Sequence, residues 1–217
     1  MTTLSQLQKD CIFGTLLGDG NLQTENQGRT WRYRAIHKNQ HKSYLLHKYE
    51  ILKPLCSSPP AYGEVFDTRT EKTYKRNYFN TTQQSSLKFF GDMFYSYDQK
   101  VGKWVKDVPL NVEKFLTPAA LAYFYMDDGA LKWLNNSNAM RICTESFSHH
   151  GVKRLQKALI KNYKVDTTLT KKTLKDGTFG YRIAIPEKSS TAFRDIINSH
   201  LVDCMKYKVS DGNKGHL

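Results

Sequence analysis

Two acids stand out by type and place. Asp19 closes the largely apolar run Cys11-Ile12-Phe13-Gly14-Thr15-Leu16-Leu17-Gly18, Asp128 closes Ala119-Ala120-Leu121-Ala122-Tyr123-Phe124-Tyr125-Met126-Asp127, and a glycine follows each. They lie 109 positions apart in a chain of 217, about half its length. Either Asp-Gly alone reads as a turn that closes a helix. Their duplication says more: two carboxylates, one from each half of the chain, brought together across an interface. Such oxygen donors suit hard divalent cations, and paired acids that share Mg2+ ions can bridge a scissile phosphate, activate water and stabilise the leaving oxygen.

The elements that must position these acids repeat with them. Ser5 and Gln8 stand at capping-box spacing before a helix over 4–20, and Thr117-Pro118 is an N-cap followed by proline at the first position of a second. Each is followed by a strand-like run (29–38, 138–144), a helix (39–55, 148–163), a hairpin (62–82, 167–185) and a closing helix (85–97, 189–201). The repeated unit is helix, two strands, helix, two strands, helix. Residues 1–98 and 115–217 form the halves, with 99–114 as a linker where charge and Pro109 interrupt the patterns. Gly14 and Gly18 share one helix face and permit close backbone approach, whereas Tyr123 and Asp127 hold the matching places, so the packing is asymmetric.

Composition sets the class. A net charge of +13, from 33 Lys+Arg against 20 Asp+Glu, makes the chain seek a polyanion, nucleic acid first and an anionic membrane surface second. With 39% hydrophobic and 12% aromatic residues it can bury enough surface to fold. The apolar stretches are too short for a membrane span and no targeting segment is evident, so the expectation is a soluble, intracellular protein. Cys11, Cys56, Cys143 and Cys204 are scattered, against both a zinc-finger spacing and a disulfide framework.

Phe13-Gly14-Thr15-Leu16-Leu17-Gly18-Asp19-Gly20 and Leu121-Ala122-Tyr123-Phe124-Tyr125-Met126-Asp127-Asp128-Gly129 resemble the paired motifs of LAGLIDADG homing endonucleases of the single-chain, two-motif class. Ser58-Pro59-Pro60, Phe115-Leu116-Thr117-Pro118 and Met205-Lys206-Tyr207-Lys208 extend the resemblance over nearly the whole chain. It implies an α+β fold of two pseudo-twofold αββαββα halves, motif helices packed at the interface, and curved antiparallel sheets forming a DNA-binding saddle. It implies an enzyme that cuts both strands of a long asymmetric DNA site, acting as a monomer in an organelle or a bacterial cytoplasm. Mg2+ is the implied cofactor, with Mn2+ as a substitute and Ca2+ binding without supporting cleavage.

By the same resemblance Asp19 and Asp128 fall on the metal-binding acids, and Gly18 and Asp127 offer main-chain carbonyls to the metals. Lys106 and Lys208 match the family's basic residue near each centre, at offsets of 87 and 80 from the acids. Gln83 and Glu145 lie where water-orienting polar residues are found, although a glutamate there departs from glutamine. Alternation in the strand after the first motif puts Trp31, Tyr33, Ala35 and His37 on one face and Arg32, Arg34, Ile36 and Lys38 on the other. The second set suits DNA, as do Arg141 and Arg182, while Lys75, Lys171 and Lys172 suit phosphates. A maturase that binds intron RNA, or a non-cleaving DNA-binding regulator, is the alternative; both acids being present favours a nuclease.

Overall fold

The computed structural model describes residues 3–133 and 137–209; the outermost residues of the two expected halves lie outside it. In chain order the first half is α1 (Gln6–Leu17), β1 (Asn21–Gln23), β2 (Arg32–Lys38), α2 (Lys42–Leu52), β3 (Ala61–Asp67), β4 (Lys72–Asn80) and α3 (Lys88–Phe94). A hairpin of β5 (Tyr95–Asp98) and β6 (Lys103–Lys106) and the short α4 (Val112–Phe115) follow. The second half is α5 (Pro118–Asp128), β7 (Gly129–Trp133), β8 (Ser137–Ile142), α6 (His149–Tyr163), β9 (Thr168–Thr173), β10 (Phe179–Ile185) and α7 (Glu187–Ile197). No described helix is long and apolar enough to cross a membrane.

Local chemistry fixes where the motif helices begin. Ser5 Oγ accepts from the Gln8 backbone N–H while Gln8 Oε1 accepts from that of Ser5, a reciprocal cap for α1. Thr117 Oγ1 accepts from the Ala120 N–H to cap α5, with Pro118 in the first turn. Asp10–Leu17 and Ala120–Met126 are buried without a break, as in helices enclosed on all sides. A Cβ built on Gly14 would lie 2.1 Å from the Ala120 carbonyl oxygen, and one on Gly18 would lie 2.5 Å from Asp127 Cβ. Glycine against a larger residue at both crossings is the asymmetric packing that the repeat implied.

Both sheets are four-stranded and antiparallel, in the orders β1-β2-β4-β3 and β7-β8-β10-β9. β1 begins directly after Asp19-Gly20 and β7 at the glycine of Asp128-Gly129; β1, at three residues, is too short to show alternation in sequence. Ala35 pairs with Phe79 in one sheet and Ile142 with Ile183 in the other, all four buried. That match carries Ala35 to Ile142, His37 to Thr144 and Lys38 to Glu145. Continued through the helices, the same 107-residue offset carries the buried positions Tyr44, Leu45, Lys48 and Leu52 of α2 onto Gly151, Val152, Leu155 and Leu159 of α6.

Where a closing helix is expected over 85–97, α3 ends at Phe94 and the chain turns into β5, because Tyr95 and Tyr97 pair with Lys106 and Trp104 of β6. The expected linker 99–114 therefore carries ordered structure. The Tyr95 hydroxyl accepts from the Leu22 N–H and the Trp31 and Trp104 rings meet at 5.1 Å, docking the hairpin on the first half.

Candidate active site

The acids sit where the motif helices end side by side. Asp128 is the last residue of α5; Asp19 lies one residue past Gly18, whose backbone has already left the helix. Asp19 is pushed up to about 6, first by burial and then by the negative charge of Asp127. Asp128 is pushed up to about 8, first by burial and then by Asp19. Mutual repulsion between carboxylates is the field that a divalent cation relieves, and carboxylate and carbonyl oxygens are the donors such a cation takes. The donor set therefore fits the metal that the paired acids imply.

Each acid has its lysine. Lys106, at the end of β6, donates through Nζ to the carbonyls of Gly18 and Gly20, both at 3.0 Å. Lys208, at the end of a 3-10 turn over Asp203–Lys208, donates to Met126 O at 2.5 Å and Asp127 O at 2.9 Å. Burial holds both ammonium pKa values below the usual lysine range, against the pull of the nearby acids. Two of three protons are thus committed to the backbone beside the acids, leaving each lysine one N–H to offer. The carbonyls of Gly18 and Asp127, expected as metal donors, each keep one lone pair.

A third acid belongs to the cluster by its side chain. Asp127 Oδ1 is 2.7 Å from Lys48 Nζ, and Oδ2 accepts the Asp19 backbone N–H at 3.1 Å. Lys48 Nζ also lies 2.9 Å from His37 Nε2. An ammonium can only donate, so Nε2 accepts and the ring proton sits on Nδ1, 3.9 Å from Asp19 Oδ2. His37 is kept neutral, its pKa pushed down to about 3 by burial and by Lys48. Ligand atoms of Asp19, His37 and Asp127 lie within 4.8 Å of one another, but Lys48 already supplies the positive charge there. The acids left for a metal are Asp19 and Asp128.

Two expected residues stand apart from each other. Gln83 accepts from the Thr30 hydroxyl at 3.2 Å, just before β2 and at its end away from His37, which an extended run of this length puts about 20 Å off. Glu145 is clasped by the Arg182 guanidinium, two residues beyond Cys143, whose N–H donates to Asp128 O at 3.0 Å. By register Glu145 matches Lys38 and Gln83 matches Glu187, so these two do not form a symmetric pair.

The open sheet faces hold the basic residues. Along β2, Arg32, Arg34, Ile36 and Lys38 alternate with buried Tyr33, Ala35 and His37, as the sequence pattern required. Arg34 and Lys38 lie opposite Asn80 and Arg76, and the Arg34 guanidinium rests 5.8 Å from the Tyr78 ring centre. Arg32 is held by Gln23 and Glu25. In the second sheet Arg141, Arg182 and Lys172 share the open face, the last two pairing with Thr170 and Gly180. Two lysines fall on the other face. Lys75 alternates with Arg76 and stands opposite Glu64, and Lys171 stands opposite Tyr181 with its ammonium 3.5 Å from the Phe179 ring centre. Arg76, the next residue, stands on the open face opposite Lys38.

Residues 9–193 match the LAGLIDADG DNA endonuclease family. The chain is 69% identical to DNA endonuclease I-ChuI of Chlamydomonas applanata over 99% of its own length and 100% of that protein's. It belongs to the LAGLIDADG homing endonucleases. The homing endonuclease I-WcaI, solved bound to its DNA recognition sequence, shares the fold with a TM-score of 0.84 at 22% identity, covering 97% of this chain and 88% of that one. I-DmoI, solved with DNA and Mn, superposes with a TM-score of 0.54 at 15% identity, covering 90% and 99%.

Within the LAGLIDADG frame, Lys48 and His37 are the site residues that sequence reasoning missed. In sequence Lys48 shares helical spacing with Tyr44, Leu45 and Leu52, and His37 shares the strand face of Trp31, Tyr33 and Ala35. A lysine among apolar stripe positions was the available signal, since a buried ammonium requires an anion to meet it.

Proposed function

We propose that this LAGLIDADG chain makes a double-strand break in a long asymmetric DNA site by divalent-metal-dependent phosphodiester hydrolysis, with Mg2+ as the working ion. The observation that carries this reading is one acid from each half at the end of a buried helix pair, each beside a lysine bound to its own turn. Asp19 and Asp128 hold the metal, which when bound polarises the scissile phosphate and acidifies water. Lys106 and Lys208 orient the acid-bearing turns and present their remaining N–H to the charge that builds on the phosphate as water adds and the P–O bond breaks. Arg34, Arg76, Arg141 and Lys172 contact the DNA, the arginines reading guanine edges and the lysine a phosphate.

Because residues 1–98 and 115–217 supply one acid each, a single chain completes the pair and acts as a monomer on unlike half-sites. An organelle is the compartment we assign, in line with the algal relative. A protein that only escorted intron RNA would have no use for either acid. Asp19→Asn and Asp128→Asn are expected to lower double-strand cutting by about 100-fold or more while duplex binding persists. Plasmid cleavage and gel-shift binding with Mg2+, Mn2+ and Ca2+ read this; full cleavage by both variants would remove the assignment.

A further inference from the structure

Beneath the acids lies a buried charge cluster that, among the described residues, is not repeated at the matching positions across the helix pair. The side chains of Lys48 and Asp127 are both fully shielded from solvent. Lys48, His37 and Tyr44, whose ring centre is 4.2 Å from the ammonium, come from the first half, and Asp127 comes from the second. The matching positions on the other side are Leu155, Thr144, Gly151 and Gly18. The residues at those positions are uncharged, and although Gly151 leaves room for the Asp107 carboxylate, Leu155 stands where Lys48 does and Gly18 where Asp127 does, so packing alone does not call for an ion pair between those two places. Burying two charges is at best an even exchange against apolar side chains, which leaves the pair to be explained by what else it does.

What it does is hold Asp19. Asp128 is fixed as the last residue of α5, with helical hydrogen bonds behind it. Asp19 stands beyond the end of α1, and its backbone N–H goes to Asp127 Oδ2 at 3.1 Å while Lys48 grips the other oxygen at 2.7 Å. A line of contacts therefore runs from α2 through Asp127 to the backbone of one metal-binding acid, and among the described residues no side-chain clasp of this kind reaches the backbone of the other: Gly18, in the matching place, has no side chain to offer.

We propose that Lys48 and Asp127 are positioning residues for Asp19 alone, so that one of the two strand cuts depends on this clasp and the other does not. The inference rests on the endonuclease reading above. Its test is Lys48→Leu combined with Asp127→Ala, which copies Leu155, leaves no unpaired buried charge, and keeps the main-chain carbonyl of residue 127. Supercoiled plasmid carrying the target site is followed with Mg2+ to nicked and then linear product, and strand-labelled duplex gives the two rates separately. One strand is expected to slow by about 100-fold, the order of loss for a misplaced catalytic group, so that nicked circles accumulate. Binding in Ca2+ stays near the parent's. A loss of stability alone would slow both strands together. A variant that cuts the strands in the parent's ratio overturns the proposal. If the double variant does not fold, Asp127→Asn, which keeps the volume and exchanges an acceptor oxygen for an amide, is read in the same assay with the same two outcomes. A parent protein that cuts neither strand would instead remove the endonuclease reading.

Discussion

The two halves of this chain perform one structural task with different residues. At the positions where α2 buries Tyr44, Leu45, Lys48 and Leu52, α6 buries Gly151, Val152, Leu155 and Leu159. The buried face of β2 carries His37; its match, just past the end of β8, is the buried Thr144, which donates to Tyr181 O at 2.6 Å. The fold thus requires that these positions be filled, and it accepts either an apolar side chain or a neutralised charge. The difference also sets how each acid is held, one by a side-chain clasp from the opposite half and one by its own helix.

The sharpest way to break that comparison is Lys48→Leu alone. It copies the other half at one position and leaves the Asp127 carboxylate buried without its partner, an error that typically costs about 3–5 kcal/mol. Denaturant unfolding is expected to show this loss, with much of it restored when Asp127→Ala is added; a single variant as stable as the parent would mean that the halves are interchangeable here. Gly14→Ala comes next. Its Cβ would meet backbone rather than a movable side chain, 2.1 Å from Ala120 O, so the helices must separate. A loss of roughly 1–3 kcal/mol or more follows from overpacking of this kind, readable in the same unfolding curves.

The acids themselves give a pH signature. In the unfolded chain both ionise near the ordinary aspartate value of 3.8, whereas in the folded protein they ionise at about 6 and about 8. Between these limits the folded state binds more protons, so the contribution of the two acids to stability falls as pH rises from about 4 to about 8. Tm measured in chelator should decline over that window and be restored by Mg2+, more so at pH 8 than at pH 6. Asp128→Asn should flatten the upper part of the decline more than Asp19→Asn does, since Asp128 has the higher value. Equal flattening would show that the two acids do not differ in their surroundings.

How much of this could be read from sequence depends on how far each partner lies along the chain. The motif helices were legible because burial on all sides leaves an unbroken apolar run, and their caps, Ser5 with Gln8 and Thr117 with Pro118, are local. The open face of β2 was legible because alternation with Trp31, Tyr33 and Ala35 fixes it. The clasp was not, because Lys48 and Asp127 are 79 residues apart and a lysine in a helical stripe most often extends its charge to water. Lys75, Lys171 and Lys172 could not be placed on a face from sequence for a related reason. They lie toward the exposed ends of β4 and β9, where no alternation of apolar residues marks the core-facing side.

That last point carries the smallest of the expected effects. Lys172 pairs with Gly180 and shares the open face with Arg182, whereas Lys171 lies on the reverse face with its ammonium on the Phe179 ring. Adjacent in sequence and alike in charge, the two differ only in which way the strand turns them. A lysine that neutralises a phosphate releases condensed counterions on binding, and its removal reduces the slope of log affinity against log salt by about one. Lys172→Ala is expected to show that reduction without altering which sequences are preferred, and Lys171→Ala to leave the slope at the parent value. Duplex binding in Ca2+ over a range of KCl concentrations reads both variants in one series. A slope change in Lys171→Ala equal to that in Lys172→Ala would mean that DNA wraps past the edge of the second sheet to reach its reverse face.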